Sequence, residues 1–233
     1  MKTAHFQSFI DDSEPDAGPA RLSALRKAIS GAQLSGFLVP RSDVHQGEYV
    51  AKRDERLAWL TGFTGSAGFC AVLPDVAGVF VDGRYRVQVK VQTNAAFTPV
   101  DWPETSLPDW LQKNLQTGTI GFDPWLHSWG EIKAHREALG ENGIQLRPNA
   151  NLIDQIWTDR PDPPNAQAYA YPDDYAGETH SDKRKRLAEM LRDNAQDTAI
   201  LTLPDSIVWL LNMRGSDVTH VPLVHSFAFL HAD

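Results

Sequence analysis

Apolar positions follow helical and strand-like spacing in turn along the first part of the chain. Leu22, Leu25 and Ile29 recur at helical spacing, so the pattern predicts a helix over residues 21–29. A short apolar run at residues 37–40 then predicts a buried strand. Because helix and strand signals continue to alternate, an α/β domain with a parallel or mixed sheet is expected.

The same reasoning predicts the later elements of this first part. Two apolar runs separated by a turn favour a hairpin, and two helices start behind serines that can accept a hydrogen bond from a free backbone amide. The expected bounds are 69–73 and 79–81 for the hairpin, 107–115 and 129–139 for the helices, 119–122 and 144–146 for two more strands, and 152–157 for a closing helix.

The segment after Asp82 gives conflicting signals. Val87, Val89 and Val91 alternate with polar residues, which is typical of a strand. Asp82 could equally cap a helix that begins at Arg84. The local pattern leaves both structures open.

An eight-residue segment recurs in related form, as Trp59 to Ser66 and again as Trp209 to Ser216, with the tryptophan and the Gly-Ser pair in the same register. A helical run and a short strand precede each copy, and an apolar run follows each, at residues 69–73 and 227–230. The copies lie much farther apart than the roughly 20 to 50 residues of a solenoid repeat, so a duplicated domain is expected. The second copy stops soon after its matching strand and is expected to be partial.

These patterns predict a division of the chain into four parts. They are a flexible lead-in at 1–19, a first domain at 20–157, a proline-rich linker at 158–181 and a partial second copy at 182–233. A polar segment at residues 41–56 has only Asp205 and Ser206 as its counterpart in the second copy. Elaborated loops on a rigid scaffold often carry function, so this segment is the first place to look for a site.

Composition and charge exclude some classes of function. The chain has 30 acidic and 22 basic residues and a net charge of -8, which argues against a nucleic-acid or anionic-membrane surface. No apolar run approaches the roughly 18 residues of a membrane span, and the N-terminus lacks the apolar core of a secretory signal. The single cysteine, Cys70, excludes an internal disulfide, which fits a reducing cytoplasm. We expect Cys70 to be buried and unreactive.

The polar loop holds the main candidate for binding chemistry, because Asp43, His45 and Glu48 lie close together in it. Metal ligation is one interpretation, but the spacing is not that of helical zinc motifs and no second cluster supports it. Polar contacts to a substrate or a neighbouring subunit, and an ordinary solvated loop, are the alternatives. Gly62, Gly65 and Gly68 lack the spacing of a nucleotide-binding loop and are expected to form turns. No catalytic centre and no metal site is expected in this chain.

Six blocks of sequence resemble those of a known family, and they follow one another in the order that the family has. They lie at residues 43–49, 56–68, 82–88, 121–126, 156–161 and 207–217. Together they resemble the N-terminal part of the Xaa-Pro aminopeptidases (aminopeptidase P), metallopeptidases of the creatinase/prolidase type. The resemblance implies a creatinase/prolidase N-terminal domain with a mixed sheet flanked by helices, and a helix at 85–92. Since the three-domain members carry two related N-terminal domains, the duplication implies that branch.

The resemblance also implies a function. In the family, a C-terminal domain with two metal ions, usually Mn²⁺, removes the N-terminal residue from peptides with proline in second position. This chain is expected to lack that domain, to contain no cofactor and to be inactive alone. Its expected role is to shape access to the active site and to contribute subunit contacts, in a cytoplasmic protein that could be a homodimer. A stand-alone binding or scaffold module with the same fold is the alternative.

Two sets of residues are predicted for these roles. The loop residues Asp43, His45, Glu48 and Tyr49 are predicted to contact the substrate or a partner subunit. A second set is predicted to form a structural ion-pair network, and its members are Arg56, Asp82 and Arg84.

Overall fold

The computed structural model describes residues 12–233, which fall into two compact units. The first unit contains the described residues up to 41 together with 56–123 and 129–157. The second contains residues 42–55, 124–128 and 158–233. Most of the predicted lead-in lies outside the described residues, and its end forms a 3-10 helix, Pro15–Ala17, that runs into the first α-helix.

The first unit is an α/β domain built on a six-stranded mixed sheet. Its elements are α1 (Gly18–Gly31), β1 (Gly36–Pro40), α2 (Arg56–Thr61), β2 (Phe69–Val72), β3 (Ala77–Val81), α3 (Gln88–Gln92), β4 (Thr98–Asp101), α4 (Leu107–Asn114), β5 (Gly118–Phe122), α5 (Trp129–Leu139), β6 (Ile144–Pro148) and α6 (Leu152–Ile156). The strands lie in the order β4-β3-β2-β1-β5-β6. β2 is antiparallel to both β1 and β3, and the other neighbours are parallel. The predicted fold class is confirmed.

Helices cover both faces of this sheet. Successive strand residues point to opposite faces, so Phe37 and Val39 of β1 pack with α1, α2 and α6, whereas Leu38 packs with α4 and α5. In β2, Cys70 likewise packs on the face covered by α1, α2 and α6, and Ala71 packs on the face covered by α4 and α5. Burial on both faces explains why these strands are continuous apolar runs in the sequence.

The structure resolves the conflicting segment after Asp82 in favour of a helix. Residues 83–87 form turns and α3 follows them. Val89 is fully buried, whereas Val87 and Val91 are 79% and 74% exposed. In a strand the three valines would share one face, so the alternation arises from a short helix that buries only its middle valine.

Strand β4 has no counterpart among the predicted elements. It lies at the edge of the sheet beside β3, and of its four residues only Val100 is buried. An edge strand with a single buried side chain shows no alternation, so its pairing with β3 could not be inferred from local pattern.

The second unit repeats the start of the first. Its elements are β7 (Tyr169–Ala170), α7 (Asp173–Ala176), α8 (His180–Asp193), β8 (Thr198–Leu201), α9 (Pro204–Leu210), β9 (Met213–Arg214) and β10 (Ala228–His231). The order α8, β8, α9, β10 matches α1, β1, α2, β2, and β8 pairs antiparallel with β10 as β1 does with β2. β7 and β9 form a separate antiparallel pair. No helix within residues 12–233 combines the length and apolar character that crossing a membrane requires.

Each repeated segment is held by a basic side chain from the helix that opens its copy. In the first unit Arg21 Nη1 donates to the backbone oxygen of Trp59 at 2.6 Å, and its guanidinium lies 4.8 Å from the ring centroid. In the second unit Lys183 Nζ donates to the oxygen of Trp209 at 2.9 Å and lies 4.4 Å from that ring. A hydrogen bond and a cation–π contact thus fix the same point in both copies.

Three residues after each tryptophan the backbone is left-handed, at Gly62 (φ 84°) and at Asn212 (φ 47°). Glycine and asparagine are the residues that adopt this conformation most readily. A Cβ on Gly62 would also lie 2.4 Å from the backbone oxygen of Gln92. The predicted turn role of this glycine therefore has both a conformational and a packing basis.

We predict that Gly62→Ala lowers the free energy of unfolding by about 2 kcal/mol, because alanine must adopt a strained φ and displace a backbone oxygen. Urea denaturation would measure this. Gly31→Ala is the matched control, because a Cβ there meets nothing within 4 Å, and it should change stability by less than about 0.5 kcal/mol. Equal effects of the two substitutions would show that the turn is not constrained.

We predict that Cys70 resists thiol reagents in the folded protein. The structure confirms that Cys70 is buried in β2, and burial raises the pKa of its thiol far above the usual range, so the reactive thiolate is scarce. Labelling with a chromogenic disulfide at mildly alkaline pH should be negligible for the native chain and complete after unfolding in urea. Rapid labelling of the native chain would contradict the burial.

Candidate functional site

The polar loop between β1 and α2 folds around Asp43. This side chain is 2% exposed, and its Oδ1 accepts hydrogen bonds from the backbone amides of His45 at 2.9 Å and Gly47 at 3.1 Å. Gln46 between them is left-handed, with φ 58°. An aspartate that binds the backbone two residues ahead stabilises a tight turn, so Asp43 holds the shape of the loop.

His45 is the second buried polar side chain of the loop. Its Nδ1 lies 3.0 Å from the backbone oxygen of Thr202, and because a carbonyl can only accept, Nδ1 carries the proton. Its ring centroid lies 4.6 Å from that of Phe227 and 4.9 Å from that of His225. These contacts explain why a polar loop belongs to the second compact unit.

A cavity of about 240 Å³, which we call the loop cavity, opens within the second unit. All four residues predicted for substrate or subunit contact line it. Asp43 and His45 form its buried part, whereas Glu48 and Tyr49 are exposed, Tyr49 by 57%. The structure therefore brings the predicted set together and separates it into an anchored pair and an accessible pair.

His225 is a member of this group that the sequence did not single out. Its Nε2 lies 3.7 Å from Asp43 Oδ2, and its backbone amide donates to Asp217 at 2.8 Å. A usable signal existed, since aligning Phe227 with Phe69 places His225 opposite Ala67 of the first copy. A histidine found only in the second copy points to a feature specific to that copy.

The residues predicted as one ion-pair network have separate partners. Asp82 and Arg84 form an exposed pair at 2.7 Å, and the hydrogen bond from Arg84 lowers the pKa of Asp82. Arg56, which is 4% exposed, instead binds Asp154 through two hydrogen bonds of 2.7 and 3.1 Å. Arg56 thereby ties the start of α2 to α6, which the sequence prediction did not include.

A larger depression of about 680 Å³ lies along β7 and β9. Tyr169, Tyr171 and Met213 are among the apolar residues that line it, and Asp173 and Asn212 contribute polar groups. The Asn212 side chain already donates to Asp173 at 2.7 Å and accepts from Lys183 at 2.7 Å. Its polar atoms are therefore engaged in holding the turn, and the loop cavity is the better candidate site.

The described part of the chain offers no donor set for a metal ion. Within residues 12–233, no three or more His, Cys, Asp or Glu side chains gather in a way that could hold one. Asp43 Oδ1 and His45 Nδ1 are engaged with the backbone. The sequence resemblance implies two manganese ions in a C-terminal domain, and no metal-assisted step can be assigned to the described residues of this chain.

Comparison with known proteins identifies the fold family. Residues 21–156 match the model of the creatinase/prolidase N-terminal domain, and residues 159–233 match a second model with the same description. The chain belongs to the creatinase/prolidase N-terminal domain family. Two successive matches in this family are what a duplicated domain requires, and they agree with the repeated elements of the two units.

Relatives of this creatinase/prolidase N-terminal chain confirm the resemblance to Xaa-Pro aminopeptidases. Aminopeptidase P2 of Arabidopsis thaliana is 32% identical over 222 residues, covering 91% of this chain and 31% of the relative. Xaa-Pro aminopeptidase 2 of Rattus norvegicus is 32% identical over 216 residues, covering 90% and 32%. The chain thus spans about a third of the length of these relatives.

A solved structure shares the fold of this creatinase/prolidase N-terminal chain. It is the X-prolyl aminopeptidase from Caenorhabditis elegans, described as a cytosolic enzyme with a di-nuclear active site. The TM-score is 0.85 at 31% identity, and the match covers 92% of this chain and 37% of that one. The fold described above is therefore also found in a known X-prolyl aminopeptidase.

We predict that Arg56→Ala lowers the free energy of unfolding by about 3 kcal/mol, because it removes a buried guanidinium and leaves Asp154 without this partner. Urea denaturation measures the loss, and a double-mutant cycle with Asp154→Ala isolates the coupling between the two side chains. Lys133→Ala is the control, because its pair with Glu137 is exposed on both sides and should be worth less than about 1 kcal/mol. A cycle with no coupling would contradict the proposed tie between α2 and α6.

Proposed function

We propose that this chain is the non-catalytic N-terminal region of an Xaa-Pro aminopeptidase, which removes the N-terminal residue from peptides with proline in second position. The observation that carries the proposal is the identity of 32% to an aminopeptidase P across 91% of the chain. The structural likeness to the C. elegans enzyme supports it. The two metal ions, manganese in this proposal, would belong to the part of the enzyme that the match does not cover.

The second unit is, in this proposal, part of a sheet that the rest of the enzyme completes. Ile200 of β8 and Phe229 of β10 are cross-strand partners, and they are 66% and 64% exposed. Leu38 and Ala71 are the matching pair of the first unit, and both are 1% exposed beneath α4 and α5. Apolar pairs of this size are normally covered, so helices equivalent to α4 and α5 would bury Ile200 and Phe229.

The polar loop would shape access to the active site or contact a partner subunit of a homodimer. Asp43 and His45 fix the loop, while Glu48 and Tyr49 stay accessible at the cavity. An exposed tyrosine on an anchored loop loses little conformational freedom on binding, which suits peptide contact. A cytoplasmic location is proposed from the cytosolic C. elegans relative and from the free thiol of Cys70.

We predict that the product of the whole reading frame that contains this sequence, supplied with Mn²⁺, releases arginine from Arg-Pro-Pro much faster than from Arg-Ala-Ala. Chromatographic detection of free arginine measures both rates. Absence of Xaa-Pro cleavage with Mn²⁺, Zn²⁺ or Co²⁺ would overturn the peptidase assignment and favour the stand-alone scaffold module.

The role of the loop is tested in the same protein. Tyr49→Ala should raise KM for Arg-Pro-Pro about threefold to tenfold, with a smaller change in kcat, because it removes a contact outside the chemistry. Tyr175→Ala is the matched control, since Tyr175 is also an exposed tyrosine of the second unit, and KM should not change. Equal KM values for wild type and Tyr49→Ala would reject the access role while leaving the peptidase assignment in place.

A further inference from the structure

The turn between α5 and β6 carries the only Asn-Gly pair of the sequence. Of the eight asparagines, Asn142 alone precedes a glycine, Gly143. Both residues are exposed, and in the part of the chain that the structure describes the side chain of Asn142 makes no hydrogen bond. Glycine has no Cβ to hold its backbone away from a neighbouring group, so its nitrogen can approach the asparagine carboxamide closely. This pair therefore has the composition that favours cyclisation of an asparagine onto the main chain.

The backbone nitrogen of Gly143 is accessible as well. It donates no hydrogen bond within residues 12–233, so water can reach it and remove its proton. Asn194 is an exposed asparagine in a similar setting, since the residue after it, Ala195, also has a left-handed backbone, with φ 53°. There the Ala195 amide and the Asn194 side chain both donate to backbone oxygens of α8, at 2.9 and 2.8 Å. Both reacting groups are thus restrained at Asn194 and unrestrained at Asn142.

The fold requires a glycine at position 143. The backbone of Gly143 is left-handed, with φ 77°, and a Cβ there would lie 2.8 Å from Cγ2 of Thr117. Its oxygen accepts a hydrogen bond from the amide of Gly118 at 2.9 Å, which joins the turn to the start of β5. Position 142 is less constrained, because Asn142 binds the described residues only through its backbone amide, which donates to Leu139 at 3.3 Å. The turn thus maintains the reactive glycine, while the asparagine can be replaced.

We propose that Asn142 in the folded protein converts into aspartate and isoaspartate without an enzyme. The Gly143 nitrogen loses its proton and attacks Cγ of Asn142, the bond from Cγ to the side-chain nitrogen breaks, and ammonia leaves. Water then opens the succinimide ring at either carbonyl, which gives aspartate or isoaspartate. The reaction consumes one water molecule and needs no oxidant, reductant or metal. It does not involve peptidase activity, so it stands or fails independently of the proposed function.

The modification changes the turn in two ways. Either product adds one negative charge at neutral pH, and isoaspartate also inserts its side-chain carbon into the main chain just before Gly143. The next residue, Ile144, is 3% exposed in the core, and β6 lies at the edge of the described sheet, paired with β5. A longer main chain at this point displaces the hydrogen bond from Gly118 and the start of β6 together. Isoaspartate is therefore expected to weaken this edge of the sheet more than aspartate does.

The full chain, incubated at neutral pH in the folded state and in parallel in guanidinium chloride, tests the proposal. Ion-exchange chromatography should show an acidic form that accumulates with time. Mass spectrometry of peptic fragments, prepared in acid to prevent further reaction, should place the change at Asn142. Conversion there should be at least about tenfold faster than at Asn194, which corresponds to a barrier lower by about 1.4 kcal/mol. Conversion in guanidinium chloride without conversion in the folded chain would overturn the proposal, because the native turn would then prevent ring closure.

Asn142→Gln tests the position directly. The longer glutamine side chain must close a larger ring, so accumulation of the acidic form should slow at least about tenfold. The substitution lies at an exposed position and should leave the fold intact. Asn194→Gln is the matched control at another exposed position, and the rate should not change. Equal rates in wild type and Asn142→Gln would overturn the assignment to Asn142.

The effect on β6 is measured with three proteins, which are the fresh chain, Asn142→Asp and the isoaspartate form purified after incubation. The isoaspartate form should unfold at a lower urea concentration than the other two, because it alone has a longer main chain. Asn142→Asp carries the same added charge and separates that charge from the change in the main chain. An equal urea midpoint for the isoaspartate form and the fresh chain would overturn the effect on the edge strand.

Discussion

A basic side chain bound to a tryptophan carbonyl fixes the turn on which the fold depends. Arg21 holds Trp59 in the first unit, and Lys183 holds Trp209 in the second. The chain then passes through a left-handed residue and returns as the strand that pairs antiparallel with the strand before it. In the first unit that returning strand, β2, is central in the sheet. A slip of one residue there would exchange the two buried faces, so the position of this turn determines both cores.

The two copies form the same turn with different residues. Glycine at position 62 meets the left-handed requirement without a side chain, whereas Asn212 adds a side chain that must be satisfied because it is 4% exposed. Its amide donates to Asp173 and to the backbone of Glu178, and its oxygen accepts from Lys183. This network explains how Lys183 can be 2% exposed, since the lysine finds two acceptors and an aromatic face in place of water. The second turn is thus held by a polar network that the first does not need.

Local pattern predicted the elements that bury a regular face and carry their own caps. The helix after Ser106 starts where expected, and Ser106 accepts from the amide of Asp109, as Thr179 does from that of Asp182. Edge strand β4 was not predicted, because a strand with one buried residue shows no alternation of apolar and polar positions. The valines around Val89 gave a strand-like pattern because α3 is too short to show helical spacing. The contacts of the candidate site were harder to predict than these elements. Its loop residues were visible as a polar insertion, but their contacts with Thr202 and His225 join positions far apart in sequence, and no periodicity records such contacts.

Burial of Asp43 and His45 changes how the inserted loop is understood. A polar loop is expected to face water, yet these two side chains point inward and use one acceptor and one donor on the backbone. The second oxygen of Asp43, Oδ2, lies 3.7 Å from Nε2 of His225. Anchoring by two buried side chains therefore fixes the backbone of the loop, and it holds the exposed Glu48 and Tyr49 at the cavity.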